Sequence, residues 1–207
     1  MDTASFVSRL LDVIEQDIVP KTAQGVTHGN KLFGAAILRK SDLSVVIAET
    51  NNETENPLWH GEMHAIKRFY ELPAGARPDP KDCIFVTTHE PCSLCLSGIT
   101  WSGFDNFYFL FSHEDSRDSF AIPYDIQILQ AIYAVPDPGA ETVPADRPLY
   151  NRHNAFFKSY AIQGLIAGLE RTQKEELLAR VDNLVGAYAD LSAVYQRDKG
   201  NKGIPLA

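Results

Sequence analysis

Two short stretches of this sequence carry residue types suited to metal chemistry. The first contains His60-x-Glu62 and the second contains Cys92-x-x-Cys95. One imidazole and two thiolates supply three of the four ligands of a tetrahedral zinc ion and leave one position open for water, as catalytic zinc sites do. The sequence therefore predicts one zinc ion per chain, with His60, Cys92 and Cys95 as its ligands.

Glu62 lies too close to His60 to bind the same ion easily, but near enough to exchange a proton with a water at the open position. Zinc lowers the pKa of such a water and generates a nucleophile at neutral pH. A carboxylate beside it can take the water's proton, pass it to a ring nitrogen and then protonate a departing amine. This predicts hydrolytic deamination of a cyclic amidine carbon, C–NH2 to C=O with ammonia release, and Glu62 as its catalytic residue.

The bulk composition narrows the class of protein. With 207 residues, 44% hydrophobic and 22% charged, the chain is typical of a globular protein. A net charge of −8 argues against a protein that grips a long nucleic-acid backbone, so a small-molecule substrate is expected and a nucleic-acid partner is not. No apolar run approaches membrane-spanning length, and the first residues lack a secretory signal, so no membrane association and a cytoplasmic location are predicted.

The first half of the chain must position these residues. We expect a helix from Thr3 or Ser5 that ends before Pro20, followed by a polar loop over residues 22–30. The predicted elements that follow are a strand over 32–38, a strand over 44–49 forming a hairpin with it, a helix over 59–72, a strand over 83–88, a helix from Pro91 to about Gly103, and a strand over 106–111. Alternating strands and helices indicate parallel crossovers, whose ligand sites lie beyond the carboxyl ends of the strands.

The second half is less regular. A polar loop is predicted over 112–124, a helix over 125–133, irregular structure over 135–148, helices over 151–169 and 172–197, and a frayed tail from Asp198. The last helix repeats apolar residues in steps of four and three, so it could pack on another helix, across a dimer axis or on its own domain.

Beyond the metal motif, three further segments support a family resemblance. His-x-Glu followed by Pro-Cys-x-x-Cys resembles the signature of the zinc-dependent cytidine deaminase-like superfamily. The segments Asn56-Pro57-x-x-His60, Thr88-x-Glu90-Pro91-Cys92 and Phe33-Gly34-Ala35 are similar to its branch of cytosine, guanine and tRNA-adenosine deaminases. The resemblance covers about residues 3–111 and extends more faintly to residue 125.

The resemblance implies an α/β fold, a three-layer α/β/α sandwich around a five-stranded mixed sheet, and a homodimer. We expect a catalytic domain over residues 1–170 and a C-terminal helical extension over 171–207, packed on the same domain or on a dimer partner. The sequence does not place the fifth strand. The predicted substrate is a nucleobase, nucleoside or related amino-heterocycle. The alternatives are a polynucleotide (tRNA) editing deaminase and a non-catalytic zinc-binding member of the fold.

By analogy with the family, Asn51 or Asn52 hydrogen-bonds the base and Phe33 lines the pocket, while Gly61 and His89 lie near it. Gly61 stands where the family usually has alanine, which we expect to be a mild change. His89 is expected in a loop at the pocket mouth. These residues do not indicate which of the candidate bases is the substrate.

Several residues near the motifs have simpler interpretations. Cys-x-x-Cys alone could be a redox pair, but the upstream His-x-Glu favours metal. His64 is expected to pack beside the site, because a fourth protein ligand would close the open position. The other expectations are core packing for Trp59 and Trp101, a surface or loop position for His28, His113 and His153, a buried thiol for Cys83, and a capping or neutralising role for Glu90.

Overall fold

The computed structural model describes residues 2–133, 135–199 and 204. Its helices are α1 (Thr3–Val13), α2 (Val19–Thr27), α3 (Gly61–Glu71), α4 (Ser93–Trp101), α5 (His113–Asp118), α6 (Tyr124–Ile132), α7 (Ile162–Ala167) and α8 (Arg171–Asp198). A π-helical turn, Ile14–Ile18, joins α1 to α2, and a 3-10 turn, Pro80–Asp82, precedes the third strand. The strands are β1 (Gly34–Arg39), β2 (Val45–Thr50), β3 (Cys83–His89), β4 (Asn106–Phe111) and β5 (Lys158–Ala161).

The five strands form one mixed sheet in the order β2-β1-β3-β4-β5. β1 is antiparallel to both of its neighbours, whereas β3, β4 and β5 are parallel. All strands except β1 therefore run in one direction, and the connection from β2 through α3 to β3 crosses over β1. The predicted five-stranded mixed sheet and the β1–β2 hairpin are confirmed.

Apolar side chains cover both faces of the sheet, because successive residues of a strand point to opposite sides. One cluster joins Ala36, Leu38, Ile84 and Val86 to α1, α2, α7 and α8. The other joins Ala35, Ile37 and Phe85 to residues of α3 and α4. Helices thus pack on both sides of the sheet, and the predicted three-layer α/β/α arrangement is confirmed.

The first helical segment is longer than predicted. It does not end before Pro20 but continues through the π-helical turn into α2. Pro20 lies in the first turn of α2, directly after the π-helical turn, in which the i→i−4 pattern has already given way to i→i−5 bonding such as Val19 N–H to the Ile14 carbonyl. The loop predicted from residue 22 therefore begins only after Thr27.

The region between β4 and α8 also departs from the prediction. Residues predicted as one helix over 151–169 form β5 and then the short α7. The loop predicted over 112–124 contains α5, which a reciprocal capping box between Ser112 and Asp115 begins. α6 and α8 were predicted to within one residue at each end.

Helix α8 packs along its own chain, against α1, α2 and α7. Its heptad positions Leu177, Val181, Leu184, Tyr188, Leu191 and Tyr195 are all buried. Arg180 holds the helix to α1 through Asp12 at 2.7 Å and to the π-helical turn through Glu15 at 2.8 Å. The division into residues 1–170 and 171–207 stays a prediction, and most of the tail predicted to fray lies outside the described residues. Among the residues described, none of the helices has the length and apolar character needed to cross a membrane.

Candidate metal centre and active site

The starts of α3 and α4 lie side by side and carry the predicted metal ligands. His60 is the residue before the first turn of α3, and Cys92 holds the same position before α4. This position usually carries a side chain that caps the helix. Neither His60 nor Cys92 makes such a hydrogen bond, so both side chains are available to face each other across the gap between the helices.

The three predicted ligands form a compact donor cluster. Nδ1 of His60 lies 3.5 Å from Sγ of Cys92 and 3.7 Å from Sγ of Cys95. Zinc–nitrogen bonds of about 2.0–2.1 Å and zinc–sulfur bonds of about 2.3 Å at a tetrahedral angle place nitrogen and sulfur about 3.6 Å apart. The donor set and its spacing therefore fit one zinc ion.

The two thiols and the imidazole of this cluster shift one another's pKa values. A hydrogen bond from the Cys95 thiol lowers the pKa of Cys92 well below its usual value, while burial and the charge on Cys92 raise the pKa of Cys95. Burial alone would lower the pKa of His60, but the hydrogen bond and charge of Cys92 outweigh it and raise the pKa to about 9. The cluster is thus built to stabilise a thiolate, the form in which cysteine binds metals.

Glu62 lies beside the cluster in the first turn of α3. Its Oε2 is 3.3 Å from Sγ of Cys95, and the residue is 4% exposed. Burial, followed by the negative charge on Cys92, raises the pKa of the Glu62 carboxyl to about 7. The carboxyl group is therefore next to the three donors without belonging to them.

The two candidate asparagines differ in their surroundings. Asn51 is 1% exposed, and its Oδ1 accepts a 2.6 Å hydrogen bond from the backbone N–H of Gly61. Its Nδ2 is buried without a hydrogen-bond partner among the described residues. Asn52 instead donates to Glu55 on a more exposed loop. Asn51 is thus the asparagine that is held against the start of α3, with its side chain also close enough to Glu53 to lower the pKa of that carboxyl.

Gly61 is required by close packing of α3 on β1. A Cβ atom at this position would lie 2.7 Å from Cα and 2.9 Å from N of Gly34. Both are backbone atoms, which cannot move aside as the end of a flexible side chain can. This close approach accounts for glycine at a position where the family usually has alanine. The expectation that glycine is itself a mild change there stays a prediction.

His89 is not in a loop at the pocket mouth, and that expectation is wrong. It is the last residue of β3 and is 2% exposed. Its ring packs against those of Phe33, Phe111, Phe120 and Tyr188, with centroids 4.4–5.3 Å away. Burial lowers the pKa of the imidazole well below its usual value. The His89 ring thus packs in a cluster of aromatic rings that includes Phe33. That His89 or Phe33 contacts the substrate stays a prediction.

Glu90, two residues before Cys92, is hydrogen-bonded to the start of α5 and to the segment before β5. Its Oε1 accepts hydrogen bonds from Tyr150 at 2.6 Å and from Arg152 at 2.9 Å. Its Oε2 accepts the backbone N–H of His113 at 3.2 Å, and the His113 ring lies 3.0 Å from the carbonyl of Pro91. The carboxylate therefore braces the chain just before Cys92. His113 is 2% exposed, so its predicted surface or loop position is wrong.

Asp125 is a further buried acid near the cluster that the sequence argument did not identify. It lies in the first turn of α6 and is 9% exposed. Burial, followed by the charge on Cys92, raises the pKa of its carboxyl to about 8, and Glu62 acts in the same direction. An acid at a helix start usually indicates only dipole stabilisation, so the sequence carried no signal for this position.

The remaining expectations have mixed outcomes. Cys83 is a buried thiol, as predicted, and its Sγ faces the carbonyl of Asp79. His64 lies outside the donor cluster, with Nδ1 2.9 Å from the carbonyl of Thr50. Core packing is wrong for Trp101, which is 90% exposed. Trp59 is half-buried beneath the ammonium group of Lys67.

A surface cavity of about 650 Å³ lies apart from the donor cluster. It opens at the start of β4 and β5, and Phe6, Tyr108 and Tyr160 supply its aromatic lining. The metal donors lie instead beyond the ends of β2 and β3. Cavity size alone therefore does not locate the chemistry of this protein.

Comparison with known proteins gives a family and several relatives. The family model "Cytidine and deoxycytidylate deaminase zinc-binding region" matches residues 16–111. Guanine deaminase of Bacillus subtilis (strain 168) is 30% identical over 104 residues, which cover 49% of this chain and 64% of the relative. The probable cytosine deaminase of Schizosaccharomyces pombe is 27% identical over 100 residues, 48% of this chain and 59% of the relative. The chain thus spans less than two thirds of the length of these relatives.

Among solved structures, the X-ray structure of guanine deaminase from Bacillus subtilis is 22% identical, with a TM-score of 0.49, and the match covers 72% of this chain and 87% of that one. That likeness is too distant to carry a functional argument. The family match is more specific, because residues 16–111 contain all three donors of the cluster and Glu62. Residues 16–111 of this chain are thus similar to the cytidine and deoxycytidylate deaminase zinc-binding region.

Proposed function

We propose that the protein is a zinc-dependent hydrolytic deaminase of a nucleobase or related amino-heterocycle. His60, Cys92 and Cys95 bind the zinc ion, and Glu62 is the proton shuttle. The observation that carries the proposal is the position of Glu62, buried and 3.3 Å from Cys95 beside a three-donor cluster. A purely structural zinc site has four protein ligands and no use for an adjacent carboxylate that is not one of them.

A bound zinc ion supplies an activated water at neutral pH. With the ion held by His60, Cys92 and Cys95, the Glu62 carboxyl would take up a proton and deliver it to a ring nitrogen of the substrate, which would make the amine-bearing carbon a better electrophile. The same carboxyl group would then take the second proton of the added water, from the new C–OH group, and pass it to the amine, which leaves as ammonia as C=O forms. The balance is C–NH2 plus H2O giving C=O plus NH3, with Glu62 returned to its starting state.

We further propose that three residues orient a planar base. The buried Nδ2 of Asn51 donates to an acceptor on the ring, and Phe33 supplies an apolar wall. Asp125 offers a carboxyl group to ring or exocyclic nitrogens on the opposite side. A base that presents both acceptors and donors suits this set. Relatives named guanine deaminase and cytosine deaminase support a free base of this kind as substrate.

An ammonia-release screen tests the activity. The panel is cytosine, guanine, adenine, their nucleosides, and pterin and triazine amines. On whichever substrate is turned over, Glu62→Gln should retain about one zinc per chain and lose at least two to four orders of magnitude in kcat. Glu71→Gln, at the exposed far end of the same helix, is the matched control and should leave kcat unchanged. Undiminished turnover by Glu62→Gln would show that Glu62 is not the proton shuttle.

We also propose that the enzyme works as a cytoplasmic homodimer that acts on small molecules rather than on nucleic acid. The net charge of −8 supports a small substrate. Trp101 on α4 is 90% exposed and is a large apolar side chain at which a dimer contact can be tested. Sedimentation velocity on the protein and on Trp101→Glu checks this: the variant should be monomeric if α4 lies in the interface.

A further inference from the structure

The two ring nitrogens of His60 face different groups. Its Nδ1 is directed at the two cysteine sulfurs, so its Nε2 is directed away from them. On that side, Nε2 lies 3.9 Å from Oε1 of Glu53. The side chain of Glu53 is 1% exposed, and the carboxylate lies in the loop between β2 and α3. A buried carboxylate therefore lies behind the metal-binding histidine.

Glu53 is neutralised by one residue of another loop. Lys31 Nζ lies 2.8 Å from Oε1 of Glu53, and the backbone N–H of Lys31 donates to Oε2 at 3.0 Å. The Lys31 side chain is 7% exposed, so water screens this pair only weakly. Two thiolates already balance the two charges of a zinc ion. An unpaired carboxylate would add a negative charge to the buried site, and Lys31 cancels it.

We propose that Glu53, neutralised by Lys31, is a positioning residue for the metal ligand His60. Glu53 accepts the Nε2–H of the ring and thereby fixes the tautomer in which the Nδ1 lone pair faces Cys92 and Cys95. Carboxylate groups that hold metal-binding histidines in this way orient the ring and raise its basicity. The inference rests on the ligand set of the proposed function.

The geometry needs only a small adjustment. A separation of 3.9 Å is longer than a hydrogen bond, and a shift of about 1 Å brings Nε2 and Oε1 to hydrogen-bond distance. The competing role for Glu53 is structural. Its loop is also tied to the segment before β1 by a 2.9 Å hydrogen bond from the N–H of Thr54 to Asn30, so the Lys31–Glu53 pair could serve only to join the two loops.

The chain offers a matched control for separating these roles. Glu49 lies 3.7 Å from Nδ1 of His64, a histidine outside the donor cluster. Both glutamates therefore approach a histidine at similar distance, but only Glu53 lies behind a proposed zinc ligand. Glu49→Gln removes a carboxylate charge near the site without touching the ligand set.

The experiment measures zinc affinity by competition with a chelator in the full chain. Glu53→Gln should weaken zinc binding by about 10- to 100-fold, whereas Glu49→Gln should change it by less than about threefold. Nitrogen chemical shifts of the His60 ring, assigned by its loss in His60→Asn, should show a protonated Nε2 in the zinc-loaded protein. Zinc affinity unchanged in Glu53→Gln, with only the metal-free protein less stable to denaturant, would overturn the proposal in favour of a structural pair.

Glu53→Asp is the second variant, because it keeps the charge for the flexible Lys31 side chain and withdraws the oxygen from His60. It should also weaken zinc binding, and failure of both variants to fold would likewise favour the structural role. The readout separates this inference from the proposed function. Wild-type protein that binds zinc but deaminates no base refutes the activity and leaves the role of Glu53 intact. Deaminase activity together with a zinc affinity that does not change in Glu53→Gln would support the proposed activity and refute the role of Glu53.

Discussion

The metal-bearing edge of the sheet and the C-terminal region from β5 to α8 differ in how their structure is encoded. At the metal edge, each donor sits one residue before a helix or one turn into it, at a fixed distance from the end of a strand. In the C-terminal region, the four-residue β5 is held by parallel pairing with β4, far from it in sequence. Local spacing determines the first region, and long-range pairing determines the second.

This difference has an energetic counterpart. At the metal edge, the backbones of Gly61 and Gly34 are in close contact, so there is no space for even one added methyl group. Helix α8 instead buries one apolar stripe and leaves its other side exposed, with no neighbour near Gly186. The same kind of substitution should therefore have opposite consequences in the two regions.

The largest effect is expected for Cys95→Ala at the metal edge. It removes one of three protein donors and leaves a two-ligand site, so zinc content after dialysis should fall from about one per chain to near zero. Metal analysis of the purified protein measures this. Cys83→Ala is the control, because Cys83 is buried in β3 as a free thiol outside the donor cluster, and it should retain zinc. Tight zinc binding by Cys95→Ala would remove Cys95 from the ligand set.

The sequence predicted the metal edge in residue detail because its determinants are short. The spacings His60-x-Glu62 and Cys92-x-x-Cys95 each lie within one helical turn, and the flanking apolar strands are unambiguous. Asn51 could not be separated from Asn52, because the choice depends on a hydrogen bond to Gly61 that only the folded loop creates. The role of Glu53 depends in the same way on contact with Lys31.

The C-terminal region was harder for a different physical reason. Residues 158–161 have no clear alternation of apolar and polar side chains, and the apolar residues that follow them have helical spacing. Pairing with β4 overrides that local pattern. Helix α8 was predicted well because its heptads are long, but periodicity alone could not say that its partners are α1 and α2 of the same chain.

The next largest effect is expected for Gly61→Ala. The added Cβ would lie 2.7 Å from the backbone of Gly34, so α3 must move away from β1. Overpacking of this kind typically lowers the free energy of unfolding by about 1–3 kcal/mol. Denaturant unfolding of the zinc-loaded protein measures the change. Because the N–H of Gly61 is held by Asn51, the same shift should also raise KM for the substrate. Stability equal to that of the wild type would mean that α3 can retreat from β1 freely.

The smallest effect, of opposite sign, is expected for Gly186→Ala in the middle of α8. A Cβ atom here meets nothing within 4 Å, and the position is exposed in an otherwise regular helix. Alanine reduces the backbone entropy lost on folding, so the unfolding free energy should rise by about 0.5–1 kcal/mol with zinc affinity unchanged. The same denaturant assay applies. A destabilised Gly186→Ala variant would mean that this side of α8 is covered in solution, for instance by a second copy of the chain, and that the C-terminal region is packed as tightly as the metal edge.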